Sequence, residues 1–421
     1  MSIYQINIPA CLIVLISCYL TSKQEIIKQM HPNLIEYLRH NLTDHLASMH
    51  YHDSALLGGS FGEIMALFML NRQLAIPQDE AERYLDKTIE GLPSNNQFPT
   101  YCNGLAGMGI GLMLLNDYDL IDLDDTSLES FDSYLSRLME TFMTDGNYDL
   151  LHGATGIALY FVKRSSTAPE TSSNALSRYL SALDRDLVRE NNKPDGCTWC
   201  KMKHDFSAEE RNISMSHGLA GIVNVLAQIY ATGLLSDDNN KKTKGIIESL
   251  IATILKQRID FVKYRSSFPS YYKSAEAASR FSRLAWCYGD IGILASLSMV
   301  ADVLADKTLT SRIEPMVLAE TSRRKFEHTY IRDACICHGA SGIYAYFSHA
   351  AKQHPDNVAI CDASSYWENY ILRIPREYLC YDPIAKEYNK QYSILSGYAG
   401  IALALLDDKT VINKLLLYEK M

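Results

Sequence analysis

Apolar segments recur along the chain, and nearly all of them directly follow a Gly-x-x-Gly sequence. Residues 157–161 and 401–406 are two such segments, and both are apolar on every side of a helical projection. A helix with this pattern is buried on several sides. The segments therefore predict seven inner helices. The Gly-x-x-Gly sequences begin at residues 59, 104, 153, 218, 289, 339 and 397.

Amphipathic stretches lie between these segments. Residues 244–259 carry an apolar stripe at helical spacing, and 127–143 and 173–190 show the same pattern. Such helices pack one side against a core and expose the other. Alternation typical of strands is nearly absent, so the pattern predicts an all-α fold. We expect an α/α toroid, in which seven outer helices surround seven inner ones.

Seven Gly-x-x-Gly sequences, spaced by about 45 to 70 residues, indicate a helical hairpin repeat. The first glycine permits a tight turn, and the second is expected to let a neighbouring backbone approach the helix start. In a ring of hairpins every inner helix begins at the same end. We predict an N-terminal segment, 1–50, that leads into a single toroid domain, 51–421.

Composition and charge narrow the functional classes. The 421 residues are 47% hydrophobic and 21% charged, as in a globular protein with a large core. The net charge of −9, without a basic stripe, argues against nucleic-acid binding and weakly favours a cationic peptide partner. Ten scattered cysteines are typical of reduced cytosolic thiols, a few of which serve as metal ligands.

The N-terminus carries an apolar run over residues 8–20, within which Leu15–Cys18 resembles a lipoprotein cleavage box. No Lys or Arg precedes the run, although a secretory signal needs such residues, and the run is short for a bilayer span. We therefore expect a packed helix or an extended start. The sequence predicts no integral membrane segment.

Reactive side chains are concentrated just before repeats three to six. Two cysteines and one histidine among them are a sufficient ligand set for a catalytic zinc, which keeps one position open. Because every inner helix begins at the same end, we expect these side chains to meet around the central axis. They are Asp149, His152, His217, Cys287, Tyr288, Cys337 and His338.

The sequences Ser216–Gly221, Trp286–Gly289 and Cys337–Gly342 resemble the signature of lanthionine synthetase C-like proteins. In bacteria these include the LanC-type cyclases of lanthipeptide biosynthesis. The resemblance implies a peptide substrate that a dehydratase has dehydrated, and an export transporter as a further partner. It also implies a cytoplasmic location, at the inner face of the membrane through those partners.

The resemblance implies Zn²⁺ as cofactor, with Cys287, Cys337 and His338 as its ligands. The implied reaction is a thia-Michael addition, in which a peptide cysteine adds to dehydroalanine or dehydrobutyrine and forms lanthionine or methyllanthionine. The residues that match the family's catalytic positions are His217, Asp149, Arg283 and Tyr288. Leu284 departs from the pattern, because family members often carry an acidic residue there.

Each candidate also has a structural interpretation. A buried cysteine often acts as a small hydrophobe, and His217 is able to cap its own turn. Asp149 would suit a helix N-cap, and Arg283 would suit a surface ion pair. His152 is expected to be structural or to contact the peptide.

Two other cysteine-containing sequences are left outside the metal site. Cys197–Cys200 forms a Cys-x-x-Cys without a second copy, so we interpret it as a loop thiol pair or part of a lid. Cys335 lacks the position next to a Gly turn. Two functional alternatives also stay open at this stage: a zinc enzyme that adds glutathione or another external thiol to dehydroamino acids, and a noncatalytic, zinc-stabilised scaffold that binds peptides.

Overall fold

The computed structural model describes residues 30–50, 53–92, 97–124, 126–189, 197–200, 212–270 and 281–421. The apolar run over residues 8–20 lies outside these ranges. Within them no helix is long and apolar enough to cross a membrane.

The regular secondary structure of the described chain is α-helical, apart from four short strands and one 3-10 turn at Arg376–Tyr378. In chain order the helices are α1 (30–48), α2 (Ser60–Leu74), α3 (Asp79–Gly91), α4 (Leu105–Asp117), α5 (Glu129–Thr144), α6 (Ala154–Arg164), α7 (Pro169–Asp186), α8 (Leu219–Ala231), α9 (Asp237–Lys256), α10 (Phe261–Tyr264), α11 (Asp290–Leu304), α12 (Lys307–Glu320), α13 (Phe326–Thr329), α14 (Ala340–Gln353), α15 (Val358–Arg373), α16 (Tyr398–Leu405) and α17 (Thr410–Leu415). The antiparallel strand pairs are β1 (Leu187–Arg189) with β2 (Thr198–Cys200), and β3 (Tyr381–Asp382) with β4 (Glu387–Tyr388).

Seven helices form the inner ring, and each begins directly after the first glycine of a Gly-x-x-Gly sequence. Their residues are buried around nearly the whole circumference, as the continuous apolar pattern predicts. The inner helices are α2, α4, α6, α8, α11, α14 and α16. The outer helices α1, α3, α5, α7, α9, α12 and α15 each bury one side.

The outer stripes match the sequence pattern closely. In α9 the residues Ile247, Leu250 and Ile254 are fully buried, as their helical spacing predicts. The stripe predicted up to residue 190 ends earlier, because residues 187–189 leave the helix and form β1. The all-α toroid is confirmed. The division between residues 1–50 and 51–421 stays a prediction.

The second glycine of each turn packs mainly against its own turn. A Cβ atom at Gly156 would lie 2.2 Å from the carbonyl oxygen of Leu150, six residues earlier, and 2.7 Å from Cβ of Tyr101 in the preceding repeat. The expected close approach of backbone to the helix start is therefore observed, and the approaching backbone belongs to the same turn. The glycine removes a clash within its own turn and also accommodates a side chain of the adjacent repeat.

Backbone hydrogen bonds join the turns into a ring at the position two residues before the first glycine. The fourth turn, at Ser216, takes no part, so the ring is open between the third and fifth turns among the described residues. The N–H to carbonyl pairs are Leu57 to Cys102, Cys102 to Leu151, Cys287 to Cys337, Cys337 to Leu395, and Leu395 to Leu57, with N···O distances of 2.9, 3.0, 3.2, 2.9 and 3.0 Å.

The centre of the toroid is filled by residues 415–418, which begin at the last residue of α17. Carbonyl oxygens of this segment accept hydrogen bonds from the Tyr101 hydroxyl (2.8 Å), the Trp286 indole (2.9 Å) and the Asn224 amide (3.0 Å). Trp286 is fully buried and directly precedes Cys287. The central segment therefore holds the fifth turn in place.

A buried charge network anchors the same turn from the outer side. The Arg323 guanidinium binds the carboxylates of Asp290, the first residue of α11, and Glu320, the last residue of α12. It also donates a hydrogen bond to the carbonyl of Ser282. All three charged side chains are at most 1% exposed. Two acids thus share one cation in the core.

This network predicts a pH-dependent stability. Burial, reinforced by the charge of Asp290, raises the pKa of Glu320 from 4.5 to about 8. The folded state therefore keeps a proton that the unfolded state has lost, and the free energy of unfolding falls as the pH rises from about 4.5 to about 8. Glu320→Gln mimics the protonated acid. We expect it to be more stable than the wild type at pH 9 by on the order of 2 kcal/mol, measured by urea denaturation.

The control for this experiment is Glu314→Gln, which removes an exposed acid from the same helix. Its unfolding free energy should track that of the wild type at every pH. Parallel curves for Glu320→Gln and the wild type between pH 5 and 9 would show that Glu320 is ionised in the folded state.

Candidate metal centre

Cys287, Cys337 and His338 meet between the fifth and sixth turns of the ring. These turns are neighbours because they belong to consecutive repeats of the ring, although about fifty residues of sequence separate them. One ligand atom from each residue lies within 4.8 Å of the other two. The Nε2 atom of His338 is buried and has no hydrogen-bond partner. The donor set and its geometry fit a metal ion.

The two thiols are electrostatically coupled. The Cys337 thiol donates a hydrogen bond to the Cys287 sulfur, and this bond, helped by the charge of Arg283, lowers the pKa of Cys287 to about 7 against the effect of burial. The same bond and burial raise the pKa of Cys337 well above its usual value. Burial lowers the pKa of His338, which favours the neutral imidazole that metals require.

A second group of donors shares the same histidine. Asp333 and Cys335 also lie within 4.8 Å of His338. Burial and the neighbouring Asp333 raise the pKa of Cys335 well above its usual value, which favours a neutral thiol. Asp333 occupies the repeat position at which Asp53 and Asn212 accept backbone hydrogen bonds of 2.9 and 3.0 Å within their turns. At this position Oδ2 of Asp333 accepts a hydrogen bond from the backbone N–H of Tyr381 at 2.9 Å, which favours a structural role for the carboxylate, whereas its buried Oδ1 has no hydrogen-bond partner among the described residues.

A histidine–aspartate pair lies beside the thiols. Nδ1 of His217 is 2.7 Å from Oδ2 of the buried Asp149. The other oxygen of Asp149 accepts a 2.7 Å hydrogen bond from the backbone N–H of His152. Gly153, not Asp149, is the N-cap of α6. The carboxylate therefore orients His217 and leaves Nε2 as the nitrogen available to a ligand.

Aromatic rings flank this histidine on two sides. The His217 ring centroid is 5.8 Å from that of His152, at an interplanar angle of 22°, and 5.5 Å from that of Tyr288, at 34°. Packing between two rings restricts rotation of the imidazole, so the pair with Asp149 is preorganised.

A cavity of about 550 Å³ opens at the gap in the hydrogen-bonded ring next to Ser216. Asp149 lies beneath His217 and does not line the cavity, whereas the exposed Arg283 lies at its rim. Leu284, where family members often carry an acid, is fully buried in the core. The lining residues are Leu151, Ser216, His217, Arg283, Cys287, Tyr288, Tyr330, Arg332, Cys337, His338, Tyr381, Pro383 and Lys386.

A family model described as lanthionine synthetase C-like protein matches residues 8–141 and 122–413, which together cover nearly the whole chain. The chain belongs to the lanthionine synthetase C-like family. The resemblance seen in the three Gly-containing sequences is thereby confirmed. No curated protein sequence matches the chain at a significant level.

The fold of this lanthionine synthetase C-like protein is also similar to that of a solved structure, nisin cyclase. The TM-score is 0.66 at 17% sequence identity, and the match covers 94% of this chain and 98% of nisin cyclase. At this level of identity the similarity concerns the α/α toroid and not the residues of the site.

The structure therefore brings all seven predicted site residues of the lanthionine synthetase C-like chain to one place. It also adds Tyr330, Arg332, Tyr381 and Lys386 to the cavity wall. These four lie in segments between repeats, and no motif or spacing marks them. In the sequence, the only signal for them was the presence of aromatic and basic residues outside the Gly-x-x-Gly repeats.

Proposed function

We propose that this protein is a zinc-dependent lanthipeptide cyclase that acts in the cytoplasm on a dehydrated precursor peptide. The observation that carries the proposal is the convergence of Cys287, Cys337 and His338 within 4.8 Å, beside a His217 that Asp149 orients. A dehydratase would supply the substrate and an export transporter would remove the product, by analogy with the family.

The three ligands suit zinc because two thiolates and one imidazole are a common protein set for a catalytic site with one open position. A zinc ion bound there would hold the substrate cysteine as a thiolate at neutral pH. The lowered pKa of Cys287 means that this ligand is already partly deprotonated at neutral pH. Burial lowers the pKa of His338, which favours the neutral imidazole, and its buried Nε2 has no hydrogen-bond partner in the described part of the protein.

The reaction would proceed by addition without any oxidant or reductant. The substrate sulfur forms a bond to Cβ of the dehydroamino acid, the π pair of the double bond moves onto an enolate, and Cα then takes up a proton. His217 would supply that proton from Nε2, while Asp149 holds the ring through Nδ1. Arg283 and Tyr288 line the same cavity and would donate hydrogen bonds to the enolate oxygen.

A pair of synthetic peptides tests this proposal. The first contains one dehydroalanine and one cysteine, and the second contains only the dehydroalanine and is incubated with glutathione. Ring formation does not change the mass, so alkylation of the remaining thiol followed by mass spectrometry reports it. Cyclisation of the first peptide, abolished by a zinc chelator and restored by zinc, is the expected result.

Other outcomes identify the alternatives. Efficient formation of the glutathione adduct with slow cyclisation would favour an enzyme that uses external thiols. Binding of both peptides and of zinc, with neither product above the uncatalysed rate, would favour a noncatalytic, zinc-stabilised scaffold.

A further inference from the structure

A row of aromatic rings extends outward from one side of the cavity. Tyr330 and Phe326 have ring centroids 5.5 Å apart, and Tyr381 and Tyr388 have centroids 5.1 Å apart. The guanidinium of Arg332 joins the two pairs, since it lies 5.4 Å from the ring of Phe326 and 4.7 Å from the ring of Tyr381. Together with Tyr378, which packs edge-on against Tyr388 at 5.0 Å, these residues form what we call the aromatic shelf.

The shelf is exposed to an unusual degree. Ten large hydrophobic side chains of the described chain are exposed, and five of them belong to the shelf or to the adjacent β3–β4 hairpin. Ile384, at the tip of that hairpin, is 92% exposed, and Phe326 and Tyr330 are each 48% exposed. A contiguous exposed apolar surface marks an interaction site more often than scattered residues do.

The shelf is continuous with the candidate active site. Tyr330, Arg332 and Tyr381 line the cavity that also contains Cys287 and His217. An extended peptide advances about 3.3 Å per residue. A peptide whose reacting cysteine lies at the thiols therefore places residues only a few positions away on the shelf.

The cavity wall is positively charged, whereas the chain as a whole carries a net negative charge. The permanently charged residues that line the cavity are Arg283, Arg332 and Lys386, and none of the lining residues is an acid, although the chain has a net charge of −9. Arg332 makes no ion pair with any described residue. The surface next to the metal site thus favours a carboxylate, the reverse of the cationic partner that net charge alone suggests.

The hairpin that carries part of the shelf is held in place before any ligand binds. The backbone N–H of Tyr381 donates to the carboxylate of Asp333 at 2.9 Å, and the Tyr388 hydroxyl donates to the carbonyl of Arg332 at 3.1 Å. Oδ1 of Asp382 accepts hydrogen bonds from two amides of the turn, so this acid stabilises the hairpin. Little ordering is needed on binding, which favours affinity.

We propose that the aromatic shelf binds the part of the substrate peptide that flanks the reacting cysteine, and that it selects an aromatic or large apolar residue next to an acidic one. The rings of Phe326, Tyr330 and Tyr388, together with the exposed Ile384 at the tip of the same hairpin, contact the apolar side chain, and Arg332 with Lys386 binds the carboxylate. The inference rests on the proposed function, because it takes the ligand of the cavity to be a peptide.

Unreactive probes test the shelf without any reaction. Two fluorescein-labelled peptides of equal length carry serine in place of the cysteine and alanine in place of dehydroalanine. One has Phe-Glu beside the serine and the other has Ser-Lys. We expect the zinc-loaded wild type to bind the Phe-Glu probe about tenfold more tightly in fluorescence anisotropy. The double variant Arg332→Gln, Ile384→Ser should reduce this preference to about twofold.

Matched controls make the same chemical changes elsewhere. Arg312→Gln removes an exposed arginine from α12, and Val358→Ser removes an 80% exposed apolar side chain from α15. Both should keep the wild-type preference. The single variant Ile384→Ser changes only a solvent-exposed tip, so it reports on the shelf even if the Arg332 substitution impairs folding.

Equal affinity of the wild type for both probes would overturn the proposal, as would an unchanged preference in the double variant. Reactive versions of the same peptides, which contain cysteine and dehydroalanine, separate the two hypotheses. A preference for Phe-Glu without cyclisation of either reactive peptide would reject the cyclase and retain the shelf. Cyclisation of the Phe-Glu and Ser-Lys peptides with equal KM values would support the cyclase function and reject the role of the shelf in substrate selection.

Discussion

Replacement of Cys337 by alanine is expected to remove zinc from the purified protein and to abolish cyclisation. In the proposed zinc site Cys337 and Cys287 would be the two thiolate donors of a three-residue ligand group, and His338 alone would offer no comparable site. The wild type should contain about one zinc per chain. The variant should bind zinc more than about 100-fold more weakly, as measured by competition with a chromophoric chelator.

Cys335→Ala is the matched control, because Cys335 is also a buried thiol within 4.8 Å of His338. It should retain zinc and activity, since Cys335 lacks the position two residues before a Gly-x-x-Gly turn that Cys287 and Cys337 share. Loss of zinc in Cys335→Ala, with retention in Cys337→Ala, would instead assign the metal to Asp333, Cys335 and His338. A wild type that folds and does not bind zinc would refute the metal centre altogether.

His217→Ala is expected to lower kcat for cyclisation by about 10² to 10⁴, with the zinc content unchanged. Among the described residues, the substitution removes the only candidate proton donor that combines a cavity-lining position with a buried carboxylate partner at 2.7 Å. Asp149→Asn should lower kcat less, because the imidazole remains but loses its charged partner. Single-turnover kinetics on a peptide with one dehydroalanine and one cysteine measure both effects.

His152→Ala provides the comparison for the His217 variant. Its ring stacks on that of His217, but His152 does not line the cavity. We expect a loss of activity of less than about tenfold from the altered packing. Equal losses in the two histidine variants would indicate that both act through packing. A His217→Ala protein with the wild-type rate would support the noncatalytic scaffold.

Much of the fold was predictable because the repeat is strong. Segments such as 157–161 are apolar on all sides, and only a helix inside a second ring buries such a surface. The ends of elements were less predictable. The stripe near residue 190 ends in β1 because pairing with β2, across a segment that carries no pattern of its own, competes with the helix.

The convergence of the candidate metal ligands was predictable from topology and chemistry together. Cys287 and Cys337 occupy the same position in consecutive repeats, and a ring of hairpins places such positions side by side. The contact between His217 and Asp149 is different. They lie 68 residues apart, and their 2.7 Å separation depends on side-chain rotamers that no repeat position specifies.

Repetition along the chain was sufficient to establish the double ring, the common end at which the inner helices begin, and the set of side chains gathered there. Three further features do not follow from the repeat. Residues 415–418 fill the axis, the ring of hydrogen bonds opens at Ser216, and the aromatic shelf borders the cavity. Local patterns encode which face of a helix is buried, whereas the partner of an irregular segment depends on the shape of the space that the packed helices leave.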